Sequence, residues 1–451
     1  MKTAQTGLFF LPKSGNCFTI KAMARTYIAE TKNKVGERVE LFGWVKALRK
    51  QGGISFIVLR DKTGSIQAVT RKQDKVFTAV DELSTESVIK ITGLVKEEKQ
   101  APDGVEVVIE SLEILSKADP ELPIPIIPQK GGGEVEISKR FDWRWIDLRR
   151  EEMLPVFKVW TELERGFREY FEKADYLQIY TPSLMNAASE SGAEVFKVDY
   201  FGREAFLAQS PQFYKQMAMA AGLERVFMVG PVFRAEPSFT PRHMTEFTGW
   251  DFEISFIESH HDVMAEEEKA IVSGFQRVKD ALAIDLEIPA LPFPKVSLSE
   301  AKQKLKTAGV KSTRPDDFTP EEERELSKII KQETGHDFVF VTEYPVTARP
   351  FYHMRLEDNP KLTKSFDLFY KGMEITTGAQ REHRLEQLEK QAKEKKTPLA
   401  PLANYLNFFR YGCPPHGGAG IGPGRIVMKI LDIDSVKDVT FLPRDVKRLT
   451  P

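Results

Sequence analysis

The stretch Phe233–Ser255, FRAEPSFTPRHMTEFTGWDFEIS, decides the fold because it sets cations, an aromatic ring and carboxylates into a strand-like pattern. Its ends, Phe233–Glu236 and Trp250–Glu253, alternate as strands do, and the prolines and hydroxyl residues between them are typical of a loop. The stretch therefore predicts an antiparallel hairpin with a long loop. Its mixed charges suggest an anionic ligand.

Charged side chains mark both predicted strands. Alternation predicts that each strand carries its charges on one face: Arg234 with Glu236, and Asp251 with Glu253. The loop adds Arg242 and His243, which supply further donors for phosphate oxygens. A surface hairpin with a ladder of ion pairs explains these residues equally well, so both interpretations stay open here.

Composition limits the class of protein. The 451 residues are enough for about two to four domains, and 65 basic against 66 acidic residues give a net charge of -1, so no global field indicates nucleic acid. Cys17 and Cys413 form neither a disulfide framework nor a zinc spacing, which fits a reducing cytosol. No apolar run approaches the roughly 20 residues of a membrane span.

The N-terminal part predicts an extension followed by a small barrel. Residues 1–22 lack the pattern of a secretory signal, and regular patterning begins just after Met23, a second candidate for the true start. Residues 23–122 contain five short strand-like segments with glycine turns, as in barrels of the oligonucleotide-binding (OB) type. Phe56 and Gln67 then lie on adjacent strands, where they would stack on a base and bind its edge. A core position for Phe56 is the alternative.

The rest of the chain predicts a hinge and a second domain. Residues 123–150 are rich in proline and glycine, which indicates a hinge before a domain at 151–451. Leu154–Ala174 has helical apolar spacing and leads into a strand that ends at Pro182. This helix and strand predict a twofold interface with a second copy.

Three further segments predict helices. One runs from His260 to Leu282, and its adjacent His260 and His261 do not share a face, which argues against a metal site. Residues 297–335 predict a charged, mostly helical peripheral layer. Residues 382–396 predict a charged, solvent-facing helix.

Two further stretches of the sequence contain candidate binding residues. Asp367 and Glu374 flank a predicted turn and are a plausible Mg2+ carboxylate pair, or else a paired strand rim. Pro415–Leu431 is a glycine-rich strand and turn that opens an apolar helix, with Arg425 placed to meet phosphate at the helix start. It is neither a Walker loop nor a dinucleotide fingerprint.

Several of these stretches, in order, resemble the class II aminoacyl-tRNA synthetases, specifically aspartyl-tRNA synthetases of the archaeal or eukaryotic-like type. FGWVKAL resembles the start of their barrel, YTP their motif 1, FRAE with RHMTEF and DFE their motif 2, and GIGPGR their motif 3. QSPQFYKQ, RPFYHM, GMEITTGAQREHR and FLPRDVKRLTP strengthen the resemblance, which covers about Met23 to Pro451. It implies an α+β protein: a five-stranded OB-fold barrel, then a class II catalytic domain with an antiparallel sheet flanked by helices.

The resemblance implies ATP-dependent attachment of L-aspartate to tRNA(Asp) through an aspartyl-adenylate, with Mg2+, by a cytoplasmic homodimer. It assigns the α-phosphate to Arg234, the adenine amino group to Glu236 and adenine stacking to Phe247. Further ATP contacts are Arg242, His243, Met244, Glu374, Gly422 and Arg425. Metal contacts are Glu374, Thr377 and Asp367.

For the amino acid, the resemblance places Glu190 against the substrate ammonium. Arg234 and Thr377 also match substrate contacts, and the remaining pocket residues are Gln212, Lys215 and Arg381. Two cations in the pocket favour a carboxylate over an amide. One departure is Gly424, which stands where motif 3 usually has an acidic residue.

Two other functions stay open. An asparaginyl-tRNA synthetase is disfavoured by Lys215 and by the TEF turn. A catalytically silent paralogue that binds RNA or a partner is disfavoured by intact Arg234, Glu374 and Arg425.

The resemblance also bears on tRNA choice. Arg49, with Phe56 and Gln67, matches the anticodon surface, and strict members have a Trp and a Lys where this chain has Lys46 and Pro102. This predicts relaxed specificity that includes tRNA(Asn), and an amidotransferase partner that converts Asp-tRNA(Asn).

Overall fold

The computed structural model describes residues 25–127, 135–186 and 195–451 of the chain. The chain divides into two compact units between Pro123 and Ile124. Among the residues that the structure describes, no helix has the length and apolar character that crossing a bilayer requires.

The first unit is a closed barrel. Its strands are β1 (Arg38–Gln51), β2 (Ile54–Asp61), β3 (Gly64–Arg71), β4 (Val88–Glu97) and β5 (Val105–Ser116), in the spatial order β1-β2-β3-β5-β4. Short 3-10 helices span Ile28–Asn33, Thr78–Glu82 and Pro102–Gly104. Alternate residues of β1, including Val39, Leu41 and Val45, are buried in the core, as the period of a strand requires. The predicted five-stranded OB-type barrel is confirmed.

The second unit is built on an eight-stranded sheet. Strands of this unit are β6 (Leu177–Gln178), β7 (Leu184–Met185), β8 (Lys197–Tyr200), β9 (Arg203–Leu207), β10 (Arg225–Phe233), β11 (Glu246–Ser255), β12 (Lys295–Ser297), β13 (Phe338–Thr342), β14 (Ser365–Tyr370), β15 (Met373–Arg381) and β16 (His416–Ile421). The main sheet has the order β12-β13-β14-β15-β16-β11-β10-β6, and β7-β9-β8 form a separate small sheet. Pairing from β13 to β10 is antiparallel, and the edge strands β12 and β6 are added in parallel.

Helices flank this sheet, which confirms the predicted α+β class. They are α1 (Ile137–Asp142), α2 (Arg144–Asp147), α3 (Met153–Lys173), α4 (Gln212–Ala220), α5 (His260–Leu282), α6 (Leu298–Thr307), α7 (Pro320–Thr334), α8 (Leu385–Glu394), α9 (Ala403–Arg410) and α10 (Pro423–Ile430).

The apolar face of α3 packs inside its own unit. Phe167 and Phe171 are buried in the core that α3 shares with α5 and the sheet. At Gly166 an added Cβ would lie 2.5 Å from the carbonyl oxygen of Ser273 on α5, so the two helices approach as closely as glycine allows. These apolar side chains are thus covered within the unit, and the twofold interface through the helix and strand of residues 154–182 stays a prediction.

The predicted hinge at 123–150 is partly wrong. It contains α1 and α2, and the fully buried Arg144 belongs to the second unit. Its guanidinium donates to the carbonyl oxygens of Asp438 at 2.6 Å and Thr440 at 2.8 Å. Composition suggested a linker because the local pattern does not reveal these distant carbonyl partners.

Two other elements differ from expectation. The strand predicted to end at Pro182 is only two residues long, Leu177–Gln178. The helix predicted for 382–396 is not wholly solvent-facing, since Leu388 and Ala392 of α8 are buried in an apolar cluster.

The layer predicted for 297–335 contains two helices, α6 and α7, as expected. Leu326 and Ile330 of α7 are buried with Val339 and Val341 of β13. This packing fixes α7 against the sheet.

Candidate active site

A cavity of about 770 Å³ in the second unit gathers most of the residues assigned from the sequence. Those that line it are Gln212, Arg234, Glu236, Arg242, His243, Met244, Phe247, Glu374, Thr377, Arg381, Gly422 and Arg425. Lys215 and Asp367 are 0% and 3% exposed and lie beneath the surface of the unit. Glu190 lies outside the described residues.

The hairpin of β10 and β11 forms one wall, with one correction. β10 ends at Phe233, so Arg234 and Glu236 stand at the start of the loop instead of on a strand face. The Arg234 backbone N–H donates to Thr245 O at 2.9 Å, and its guanidinium lies 5.5 Å from the centre of the Phe247 ring. The hairpin therefore ends by presenting a cation beside an aromatic ring.

The loop between these strands is held by residues near the C-terminal end of the sequence. The N–H of Thr245 donates to Arg444 O at 3.0 Å. The N–H of Val436 donates to Pro241 O at 2.9 Å. These backbone bonds restrain a long loop that has few partners of its own.

Three arginines meet in the cavity. Burial, followed by the charges of Arg425, Arg242 and Arg234, lowers the pKa of His243 to about 4. Arg425 donates through Nη1 to Glu374 O at 2.7 Å and lies 3.5 Å from the Glu374 carboxylate. His243 is therefore neutral at neutral pH, and the cationic charge belongs to the arginines.

Arg242 has a partner that sequence reasoning missed. Its Nη1 and Nη2 donate to the two carboxylate oxygens of Glu323, at 2.9 and 2.5 Å. Glu323 is 3% exposed and lies on α7. A carboxylate within the run PEEERE of a charged helix has no sequence signal that separates it from its exposed neighbours.

Next to the arginines, Lys215 is buried in a polar cluster. Its Nζ lies 2.7 Å from Asp251 Oδ1 and 3.4 Å from Glu253 Oε2. It also donates to the carbonyl oxygens of Ala419 at 3.1 Å and Phe252 at 3.4 Å. Burial raises the pKa of Asp251, although Lys215 opposes the shift.

Arg381 is held by three kinds of acceptor. Its Nε donates to Glu253 Oε1 at 3.0 Å, its Nη1 to His353 Nε2 at 2.9 Å and its Nη2 to Gly418 O at 2.8 Å. Burial alone would raise the pKa of Glu253, but Arg381 and Lys215 lower it below the ordinary value. His353 is a second missed residue, and burial followed by the charge of Arg381 lowers its pKa well below the usual range.

These contacts correct the argument that two cations in the pocket favour a carboxylate over an amide. Lys215 and Arg381 are not uncompensated cations, because Asp251 and Glu253 accept from them. Gln212 also donates to Glu253, at 3.4 Å. The cluster is electrically balanced, so selectivity has to come from the orientation of donors.

The candidate metal residues lie on β14 and β15. Asp367 pairs in register with Thr377, and Thr377 Oγ1 lies 3.5 Å from Glu374 Oε1. Arg349 donates to Asp367 Oδ2 at 2.6 Å, while Asp367 Oδ1 is buried without a hydrogen-bond partner. Within the described ranges, no group of three or more His, Cys, Asp or Glu residues is arranged to hold a cation.

The barrel carries the predicted anticodon residues. Phe56 is half-buried on the face opposite the core, since its neighbours Ser55 and Ile57 are buried, and Arg49 pairs with it in register. Gln67 lies on the adjacent strand and donates to Glu106 at 2.9 Å. A core position for Phe56 is therefore excluded.

Two sequence profiles match the chain. One described as tRNA synthetases class II (D, K and N) matches residues 136–446, and one described as an OB-fold nucleic acid binding domain matches residues 39–115.

Curated relatives are similar over nearly the whole length. The chain is 42% identical to the aspartate--tRNA(Asp/Asn) ligase of Aeropyrum pernix, over 94% of this chain and 98% of that protein. It is 38% identical to the aspartate--tRNA(Asp) ligase of Pyrococcus abyssi, over 95% of this chain and 100% of that protein.

A solved structure of asparaginyl-tRNA synthetase from Pyrococcus horikoshii, complexed with asparaginyl-adenylate, matches with a TM-score of 0.87. It is 31% identical and covers 95% of this chain and 100% of that one. A putative aspartyl-tRNA synthetase from Leishmania major matches with a TM-score of 0.86 at 29% identity, and each chain is covered to 97%.

Proposed function

Because this chain belongs to the class II tRNA synthetases (D, K and N), we propose that it attaches L-aspartate to tRNA(Asp) in an ATP-dependent reaction. The aspartate α-carboxylate attacks the α-phosphate of ATP, giving aspartyl-adenylate and pyrophosphate. A hydroxyl of the terminal tRNA ribose then takes the aspartyl group, and AMP leaves. The observation that carries this proposal is one cavity lined both by a cluster of three arginines and by Arg381, which belongs to the polar cluster of Lys215.

The arginines supply the chemistry of the first step. In-line displacement at phosphorus requires little covalent chemistry from the protein, so positioning and charge stabilisation dominate. Arg234 binds the α-phosphate, where charge develops, and Arg242 and Arg425 bind the outer phosphates. His243, being neutral, contributes hydrogen bonds and no charge.

Adenine and aspartate occupy different parts of the cavity in this proposal. Adenine stacks on Phe247, its amino group is bound by Glu236, and Met244 and Gly422 complete that end. Aspartate lies near Arg381 with its ammonium facing Glu190. Its remaining contacts are Gln212, Lys215, Arg234 and Thr377.

Selectivity for aspartate follows from donor orientation. Arg381 and Lys215 carry N–H donors and no acceptors, so a ligand facing them has to present oxygen. An asparagine side chain can present one oxygen, but its amide NH2 would oppose a donor. The class of the side chain is therefore set by the orientation of these donors even though the net charge is balanced.

Magnesium fits the residues present. Glu374 and Asp367 offer carboxylate oxygens, one of them the buried Asp367 Oδ1 that lacks a partner, and Thr377 adds a hydroxyl. Mg2+ is usually held by one or two carboxylates together with substrate phosphates. When bound it would neutralise charge on the triphosphate, while Arg349 keeps the Asp367 carboxylate in place.

One observation favours a second candidate, an asparaginyl-tRNA synthetase. The pocket cations are already compensated, which weakens the charge argument against an amide. Amino-acid-dependent ATP-pyrophosphate exchange separates the possibilities. Aspartate-dependent exchange supports the proposal, asparagine dependence supports the second candidate, and no exchange supports a silent RNA-binding paralogue.

We expect relaxed tRNA specificity. Lys46 is the extra residue of a bulge in β1, and Pro102 lies in the turn before β5, so neither strict marker is present on the barrel. A proline there cannot donate from its nitrogen or supply a cation to enforce the base choice. Aspartylation of tRNA(Asp) and tRNA(Asn) transcripts should differ by less than about a hundredfold in kcat/KM, roughly 2.7 kcal/mol.

A preference for tRNA(Asp) above that ratio contradicts this prediction. Relaxed charging implies an amidotransferase partner that converts Asp-tRNA(Asn) to Asn-tRNA(Asn). We also expect the protein to act in the cytoplasm, together with the tRNA pool.

We expect a twofold homodimer through the helix and strand of residues 154–182. Leu177 and Tyr180, which are 51% and 82% accessible, offer exposed apolar surface in this segment for a self-complementary contact. Sedimentation at micromolar concentration should give the mass of two chains, and Tyr180→Lys should shift it toward one. A wild-type monomer under these conditions would refute the prediction.

A further inference from the structure

We propose that Glu323 is a positioning residue of the ATP site, which holds Arg242 and the start of β15 in the geometry that binds the triphosphate. The inference rests on the proposed function only in taking the cavity to bind ATP. It goes further by giving a catalytic task to α7, in a layer that the sequence pattern describes as peripheral.

One carboxylate holds two parts of the site. Glu323 Oε2 accepts from Arg242 Nη1 at 2.9 Å and from the backbone N–H of Glu374 at 3.2 Å, and Oε1 accepts from Arg242 Nη2 at 2.5 Å. Arg242 belongs to the loop between β10 and β11, whereas Glu374 is the second residue of β15 and carries a candidate metal carboxylate. Glu323 therefore sets the distance between the phosphate-binding loop and the metal-binding strand.

The carboxylate is fixed in place. Glu323 is 3% exposed, and Leu326 and Ile330 of the same helix are buried against β13. The helix begins with a capping box in which Thr319 and Glu322 exchange hydrogen bonds. The backbone that carries Glu323 is therefore anchored to the sheet.

Glu323 leaves donors on Arg242 for a ligand. A guanidinium has five N–H donors, and the carboxylate takes one from each Nη. The second N–H of each Nη is not used by this contact. The contact thus orients the guanidinium without exhausting it, which distinguishes positioning from competition with phosphate.

The contact between Glu323 and Arg242 also has an electrostatic effect. Burial lowers the pKa of Arg425. Glu374 and Glu323 oppose this shift, whereas Arg242 and Arg234 add to it, so these groups share one electrostatic field. Three guanidiniums repel each other in a desolvated site. A permanent carboxylate on α7 stabilises the cluster between turnovers, when no triphosphate is bound.

Glu323→Gln tests the inference in the full chain. The amide keeps the shape but places an NH2 against an Arg242 donor, so we expect the KM for ATP in pyrophosphate exchange to rise roughly tenfold, about 1.4 kcal/mol. The KM for aspartate should change less than about twofold. Glu321→Gln, an exposed residue on the same helix, is the matched control and should behave as wild type.

A double variant separates positioning from general damage. If Glu323 acts through Arg242, adding Glu323→Gln to Arg242→Ala should raise the KM for ATP no further. Thermal melting followed by circular dichroism should show that each variant is folded. Equal increases in the KM for ATP and for aspartate, or full additivity in the double variant, would overturn the inference.

A decrease in the KM for ATP would also be informative. A lower KM for ATP in Glu323→Gln would mean that the carboxylate competes with phosphate, and it would reject positioning. If wild type shows no aspartate-dependent exchange, the proposed function fails, but titration with MgATP alone still tests the inference. The variant should then bind MgATP about tenfold more weakly, and equal binding would reject it.

Discussion

Replacing Arg234 with alanine should lower aspartate-dependent ATP-pyrophosphate exchange by about two orders of magnitude or more, because a donor aimed at developing charge is worth several kcal/mol in the transition state. Arg234 stands at the end of β10, beside Phe247, and lines the cavity. The exchange rate at saturating ATP and aspartate is the measurement.

Folding should survive this change. The backbone N–H of Arg234 bonds to Thr245 O, a contact that alanine keeps. Arg314→Ala, at an exposed ion pair with Asp317, is the control and should leave exchange unchanged. Near-normal exchange in folded Arg234→Ala would remove this residue from the site.

Glu267→Gln should raise the free energy of unfolding at about pH 9 by up to about 5 kcal/mol, relative to wild type. Glu267 is fully buried on α5. Burial, with the nearby carboxylates of Asp367 and Glu268, raises its pKa from 4.5 to about 8, while a hydrogen bond from Thr376 opposes the shift.

The direction of this pH effect follows from the pH at which the Glu267 carboxyl group releases its proton. The unfolded chain releases it near its ordinary pKa of 4.5, whereas the folded chain keeps it up to about 8. Wild-type stability should therefore fall as the pH rises between these values, and then level off. Glutamine has no proton to release, so this part of the pH dependence disappears.

Urea unfolding at several pH values measures the effect. Glu172→Gln, on the exposed side of α3, is the control and should follow the wild-type curve. If Glu267→Gln keeps the wild-type pH dependence, the carboxyl group is ionised or solvated in the folded protein and this account of it is wrong.

Local sequence patterns predicted the elements in which the residue types alternate with their burial. Alternation in the barrel identified its five strands, because a strand with one buried face has a period that the sequence displays. Apolar spacing likewise identified α3, Met153–Lys173, to within about a residue at each end. The roles assigned within the site came from resemblance and not from these patterns.

Local pattern failed where the partner is distant in sequence. From the sequence, Lys215 is one of two cations that favour a carboxylate ligand. Its pairing with Asp251 and Glu253 is not predicted, because these residues lie far along the chain. Glu323 was placed in a peripheral layer because a charged helix is usually solvated. Arg234 was assigned to a strand because alternation continues for three residues beyond the last paired residue of β10.

The backbone bonds that tie Thr245 to Arg444 and Pro241 to Val436 also concern the order in which the chain is made. A ribosome completes the Arg234 loop about two hundred residues before it reaches Arg444. Contacts of such wide separation form late, since closing them costs the most chain entropy. A nascent chain that stops before residue 436 thus presents an arginine loop without these restraints, so the loop reaches its final geometry only after Arg444 has been made.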